Sequence, residues 1–260
     1  MNNLRTRFKA KFNEPIWKYT PVRIGGRANV FIKTGSSLQL KRVLCFLTEE
    51  NMISKVPVIV VGEITNTLFS DDGFPGIVIR NASQKLPRIK GNMVYVESGY
   101  RLASLINYLI KIKLFGLEAF AGIPGTIGGA ISGNIHGIGK VLFSKFVNKV
   151  YVLDVLRKKE IVFNSGQCRF VYNQSVFRSN SNLVILEVEL RLKKTGKDSK
   201  KRVKEILILK ENQPKNSLGC IFSNLSDYQA RRHSFPTTSA GWLIDRKLGL
   251  KNFRVDTCKI

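Results

Sequence analysis

Between Gly116 and Gly139 the chain is dominated by small residues, and its centre is Gly122-Ile-Pro-Gly-Thr-Ile-Gly-Gly129. Four glycines around one proline and one threonine let the backbone enter φ > 0 repeatedly and leave its N–H groups uncovered. Such a segment can press against a flat or anionic ligand. The small residues Gly128, Gly129 and Ala130 can open a helix whose first turn favours negative charge. The spacing is not G-x-G-x-x-G, and no P-loop lysine follows. A ligand loop and a tight packing turn both satisfy these residues, so the rest of the chain must decide.

At 260 residues and 43% hydrophobic content the chain can bury one large core or two to three smaller ones. Its 43 Lys+Arg against 18 Asp+Glu give a net charge of +25, which raises affinity for any polyanion. The charge is spread from Arg5 to Lys251, with one dense run at Lys193–Lys204, and such a spread reads as solvated surface rather than a docking face. Cys45, Cys168, Cys220 and Cys258 form no C-x-x-C, and the histidines are His136 and His233, so no metal site is expected. The basic N-terminus has no apolar stretch behind it, and no apolar run is long enough to span a bilayer. The expectation is a soluble cytoplasmic protein with no membrane partner.

Residues 1–13 read as a loose basic arm. Thr20–Lys33 reads as a strand, a glycine turn and a second strand centred on Val30, Phe31 and Ile32. Leu38, Leu40, Val43, Leu44 and Leu47 predict a helix over Ser36–Glu50. Val58-Ile-Val-Val61 is a short buried strand running into Gly62-Glu-Ile-Thr-Asn-Thr67, a polar loop at a strand end, where α/β sheets commonly hold ligands. Taken alone, that loop reads better as a capped surface turn. Further strands are expected at 77–80 and 93–97, a helix at 101–113, a hairpin at 147–163 and a strand at 183–192. The middle third is therefore antiparallel α+β. After the charged 193–201 linker come a basic helix (202–211), a strand around Cys220, a loop at 231–236, a helix at 239–247 and a strand from Phe253.

Taken in order, Gly-x-x-Thr-Asn (62–66), Gly-Ile-Pro-Gly-Thr-Ile-Gly-Gly (122–129), Tyr-x-x-Ser-x-Phe (172–177), Gly-Cys-Ile-Phe (219–222) and Ala-Gly-Trp-Leu-Ile-Asp-Arg-Lys-Leu-Gly-Leu-Lys (240–251) resemble the UDP-N-acetylenolpyruvoylglucosamine reductase (MurB) family. The resemblance runs from about Thr20 to the end. It implies an α+β protein with an FAD-binding fold of the vanillyl-alcohol-oxidase (PCMH) type, in which two α+β subdomains (14–80 and 81–198) follow the 1–13 arm. A shortened α+β substrate-binding domain (199–260) completes it. It also implies FAD and NADPH as cofactors, a UDP-sugar as substrate, peptidoglycan synthesis as the context, a monomer, and no specific nucleic-acid partner.

Within that resemblance Gly62, Thr65, Asn66, Thr67, Ile123, Pro124, Gly125, Thr126, Gly128 and Gly129 supply backbone and hydroxyl donors to the cofactor. An enolpyruvyl ether is an alkene conjugated to a carboxylate. Hydride added at its β carbon builds an enolate, so the site needs a group to stabilise that charge and an acid to protonate the α carbon. The family's serine or cysteine acid corresponds to Cys220, whose thiol, with a pKa of about 8.5, gives up a proton far more readily than a hydroxyl. Tyr172, Lys210 and Asn224 correspond to substrate contacts. A small buried core residue is the bland alternative for Cys220.

The chain also departs from the family. Asn173 stands where an arginine steadies the enolate, and losing that donor costs about 10²–10³ in rate at comparable sites. Ile64 stands in place of a second glycine in the first loop, with its Cβ expected where backbone approaches phosphate. Ile135 and His136 replace small residues, and the family's C-terminal glutamate has no counterpart before Ile260. The expected truncation and divergence keep two other readings open: a relative that binds FAD weakly or not at all and does not turn over, and a basic nucleic-acid-binding module.

Overall fold

The β-branched runs form two main sheets, and the leucine-rich segments with helical spacing pack against them as helices. The computed structural model describes residues 2–194, 199–211, 217–219, 221–255 and 258–259. These fall into two units that divide between Ser217 and Leu218. In the first unit the order is α1 (Asn2–Phe8), β1 (Lys11–Pro15), β2 (Arg27–Thr34), α2 (Ser37–Glu49), β3 (Val58–Val61), β4 (Phe74–Asn81), β5 (Arg88–Lys90), β6 (Met93–Glu97), α3 (Leu102–Lys111), α4 (Ile127–Ser132), β7 (Val147–Asp154), β8 (Lys159–Asn164), α5 (Val176–Ser179), β9 (Leu183–Arg191) and α6 (Ser199–Leu209).

The first sheet has the order β1-β2-β4-β3, parallel except for β1. The second, β5-β6-β9-β7-β8, is antiparallel throughout. The α+β expectation holds. Two local expectations do not. Residues 1–13 are not a loose arm: Leu4 of α1 is 1% exposed in the core of the first sheet, and Lys11–Pro15 pairs with β2. Arg7 caps that packing by lying over the Phe46 ring, 4.8 Å from its centroid. The antiparallel partner of β2 is therefore β1 and not 20–24, which forms a turn. A short basic segment without a clean period hid its one anchoring leucine. The unit boundary also lies past α6, so 199–209 belongs with the two sheets and not with the domain expected to begin at 199.

A polar seam joins the sheets. Asn81 at the end of β4 donates to Ser98 Oγ at 2.9 Å, and Ser98 donates to the Ile185 carbonyl at 2.6 Å. Nearby, Glu97 accepts from Ser83 Oγ at 2.6 Å and from the Ser37 amide at 2.9 Å. Every member of such a buried set needs its partner, because an unmade hydrogen bond costs about 1–3 kcal/mol. The seam thus holds the 98–101 turn in one place, and the glycine stretch is built against that turn.

The second unit contains α7 (Asp227–Arg232), α8 (Ala240–Trp242) continuing as a wider turn through Lys247, and an antiparallel pair of β10 (Arg254–Val255) with β11 (Cys258–Lys259). Ser226 and Gln229 form a reciprocal capping box that starts α7. No described helix is long and apolar enough to cross a membrane.

Ile64 has φ 55°, the left-handed conformation a glycine takes easily. Its side chain is only 3% exposed and packs with Ile16, Phe31, Val61, Phe69 and Val78. The Cβ therefore points into the core and not toward a ligand, contrary to the expectation from sequence. Left-handed strain costs about 1–2 kcal/mol, whereas truncating a buried isoleucine costs about 2–5 kcal/mol. Ile64→Gly is accordingly expected to lower the melting temperature, and a rise on thermal unfolding would show that strain outweighs burial there.

Candidate functional site

The loop after β3 and the glycine stretch meet. A Cβ on Gly62 would lie 2.4 Å from Thr126 Oγ1, so only glycine lets the loops approach this closely. Thr65 Oγ1 reaches the Pro124 carbonyl at 3.5 Å, a long contact, and a Cβ on Gly125 would have Thr65 Oγ1 as its one near neighbour, at 3.3 Å. Glu63 ties the first loop to Arg101 at 2.7 Å, and Arg101 pairs with Thr126 in an antiparallel bridge. Sequence reasoning did not single out Glu63 and Arg101. Charged loop residues carry no signal of pairing until the loops are neighbours.

The glycine stretch does open a helix, as expected. Its first amides are nevertheless already used within the protein. Ile127 donates to the Tyr100 carbonyl at 2.9 Å, Gly128 to the Ser98 carbonyl at 2.7 Å and Gly129 to Thr126 Oγ1 at 3.3 Å. The Ile123 amide goes to the Phe120 carbonyl. These four amides are thus not free cofactor donors, which corrects the expectation for Ile123, Gly128 and Gly129. Gly128 is a packing glycine instead, since a Cβ there would stand 3.0 Å from Ser98 Cβ. What remains for a ligand is a smaller set. Among the described residues no backbone hydrogen bond occupies the amides of Thr65, Asn66, Gly125 or Thr126, and Asn66 is exposed. Gly125 at φ 122° holds the turn in a conformation that other residues rarely adopt.

Thr67 is half-buried on the same loop. Amides left without a backbone partner among the described residues, beside the Thr65 and Thr126 hydroxyls and two glycines, suit a diphosphate or the polar edge of a flat ring. Such a set fits FAD, which Thr65, Asn66, Thr67, Gly125 and Thr126 would hold.

Lys210, just past α6, arrives at this stretch from far along the chain. Its Nζ donates to the Ala121 carbonyl at 2.8 Å, and a Cβ on Gly122, which sits at φ 71°, would lie 2.9 Å from its Cδ. Burial holds the ammonium pKa below its ordinary value. Tyr172 is exposed and its ring lies 5.3 Å from that of His136, at 31°. Asn173, at φ 56°, accepts a hydrogen bond on its carbonyl from the Arg178 guanidinium at 2.8 Å. Fully buried Asn134 anchors both neighbouring segments, donating to the Val171 carbonyl at 2.9 Å and accepting from the Ser144 amide at 3.0 Å.

In the second unit Asn224 Oδ1 accepts from the Ala240 amide at 3.1 Å, which ties its loop to the start of α8. Cys220 lies outside the described residues. Cys168 is fully buried, and burial pushes its thiol up to about 12. It is a core residue and not an acid.

Residues 28–166 match the model of the FAD binding domain family. The chain is 34% identical over 260 residues to the UDP-N-acetylenolpyruvoylglucosamine reductase of Chlamydia abortus, covering 98% of this chain and 81% of that one. It is 32% identical over 267 residues to the protein of the same name from Bacillus subtilis, covering 97% and 79%. Among solved structures, UDP-N-acetylenolpyruvylglucosamine reductase (MurB) from Thermus caldophilus superposes with a TM-score of 0.75 at 28% identity, over 98% of this chain and 84% of that one.

Proposed function

Since this chain belongs to the UDP-N-acetylenolpyruvoylglucosamine reductase family, we propose that it is an FAD-dependent oxidoreductase that reduces UDP-N-acetylglucosamine enolpyruvate to UDP-N-acetylmuramate with NADPH. The observation that carries this reading is the meeting of two glycine loops around amides that no backbone hydrogen bond among the described residues occupies. FAD, when bound, supplies the hydride relay between the nicotinamide and the alkene.

The chain's own residues supply the rest. Thr65, Asn66, Thr67, Gly125 and Thr126 orient the cofactor. Lys210, held beside the glycine stretch with its pKa lowered by burial, offers a charge to the anionic substrate. Tyr172 and Asn224 contribute substrate contacts, and the Asn173 amide stands in for the enolate-stabilising donor. Cys220 delivers the proton to the α carbon, so the thiol must be protonated when the enolate forms. A cytoplasmic monomer acting in peptidoglycan synthesis fits this chemistry.

The visible absorption spectrum tests the reading directly. A flavin spectrum that bleaches on anaerobic addition of NADPH, and returns on addition of the enolpyruvyl substrate, is expected. A colourless protein that also fails to take up added FAD would leave a relic of the fold without the activity. Gly62→Ala is a sharper probe, because its Cβ would collide with Thr126 and separate the loops. At least about tenfold weaker FAD binding, measured by quenching of flavin fluorescence, is expected, which corresponds to about 1.4 kcal/mol.

A further inference from the structure

A cleft is lined in part by the segment that Asn134 anchors through the Ser144 amide. Its cavity of about 670 Å³ is lined by the 139–145 loop and the 165–170 turn. Lys140, Lys145 and Arg169 face it together with Ser144 and Ser165, and no carboxylate lines it. Among the described residues none of the three cations is in an ion pair, and neither serine hydroxyl is hydrogen-bonded. The backbone under them is pinned. Phe143 and Cys168 are fully buried beside Lys145 and Arg169, and the Ser144 amide is held by Asn134. Lys140 at φ 58° and Arg169 at φ 49° adopt the left-handed conformation that side-chain-bearing residues rarely take.

We propose that this cleft, formed by Lys140, Lys145, Arg169, Ser144 and Ser165, is a binding site for a diphosphate group, free or carried by a nucleotide. The three cations are exposed and no carboxylate lines the cleft, so an anion that enters is attracted by all three. Arginine offers a planar fork and the lysines point charges, a combination suited to phosphate oxygens. Two hydroxyls complete the donor set, and the volume accommodates a nucleoside as well as its phosphates. The site is separate from the loops assigned to FAD and does not depend on that assignment.

The test is calorimetric titration of the FAD-loaded protein with inorganic pyrophosphate and with ADP, at about 150 mM salt, where exposed charges act only within about 8 Å. Saturable binding with one site is expected, lost at least about 100-fold in K140Q/K145Q/R169Q. It should be kept in K55Q/K111Q/K113Q, which removes the same charge from exposed lysines elsewhere. Tighter binding of ADP than of pyrophosphate would identify the nucleotide as the source, and equal binding the free diphosphate. Absence of saturable binding, equal loss in both triple variants, or binding that the cleft variant leaves intact would overturn the proposal. Flavin absorbance, read on each variant first, separates a damaged cofactor site from a damaged cleft.

Discussion

Cys220→Ala is expected to leave reduction of the bound flavin by NADPH unchanged while slowing the half-reaction with the enolpyruvyl substrate by about 10²–10⁴, the usual contribution of a positioned acid. The asymmetry follows from where the proton is needed. Reducing the cofactor requires no acid at the α carbon, whereas completing the reduction of the substrate does. Stopped-flow absorbance resolves the two steps. Cys220→Ser separates role from packing, because a hydroxyl retains a transferable proton at a similar volume. Partial recovery in the serine variant identifies the group as the acid. Equal slowing of both half-reactions in the alanine variant would show that Cys220 acts on cofactor binding or stability and not on proton delivery.

Asn173→Arg is expected to raise kcat by about 10²–10³, by restoring a full positive charge where the enolate forms. The backbone can accept the change. Asn173 already sits at φ 56°, and its carbonyl is fixed by the Arg178 guanidinium at 2.8 Å, which the substitution does not disturb. Arginine tolerates the left-handed conformation less well than asparagine, so a small loss of stability should accompany the gain. The gain should appear in kcat more than in KM, since the enolate charge is larger in the transition state than in the bound substrate. A variant that binds FAD as before yet shows no faster turnover would mark the chain as a relative that keeps the fold and cofactor without efficient catalysis.

The helices and strands of the sheet cores were readable from local pattern. Leu40, Val43, Leu44 and Leu47 recur at helical spacing and are buried in α2, and the apolar run from Leu183 forms β9, buried along most of its length. The pairing of 11–15 with β2 was not readable, because Lys11-Phe-Asn-Glu-Pro15 is a short, mostly polar edge strand that ends in proline and carries little apolar pattern of its own. The same holds for α1, whose place in the core rests mainly on Leu4.

At the site the division runs along the same line. That Gly122–Gly129 forms a close-approach turn opening a helix followed from the amino acids alone, since only glycine populates those backbone conformations freely. Which of its amides remain for a ligand was decided by Tyr100 and Ser98, whose carbonyls take the first two amides of α4. Whether Ile64 blocks the first loop was decided by a core that swallows its side chain. Lys210 reaches the glycine stretch across 89 residues of sequence. Local conformation is set by each residue's own sterics and is therefore written in the chain, whereas the use of a hydrogen-bonding group depends on what folding brings within 3 Å of it.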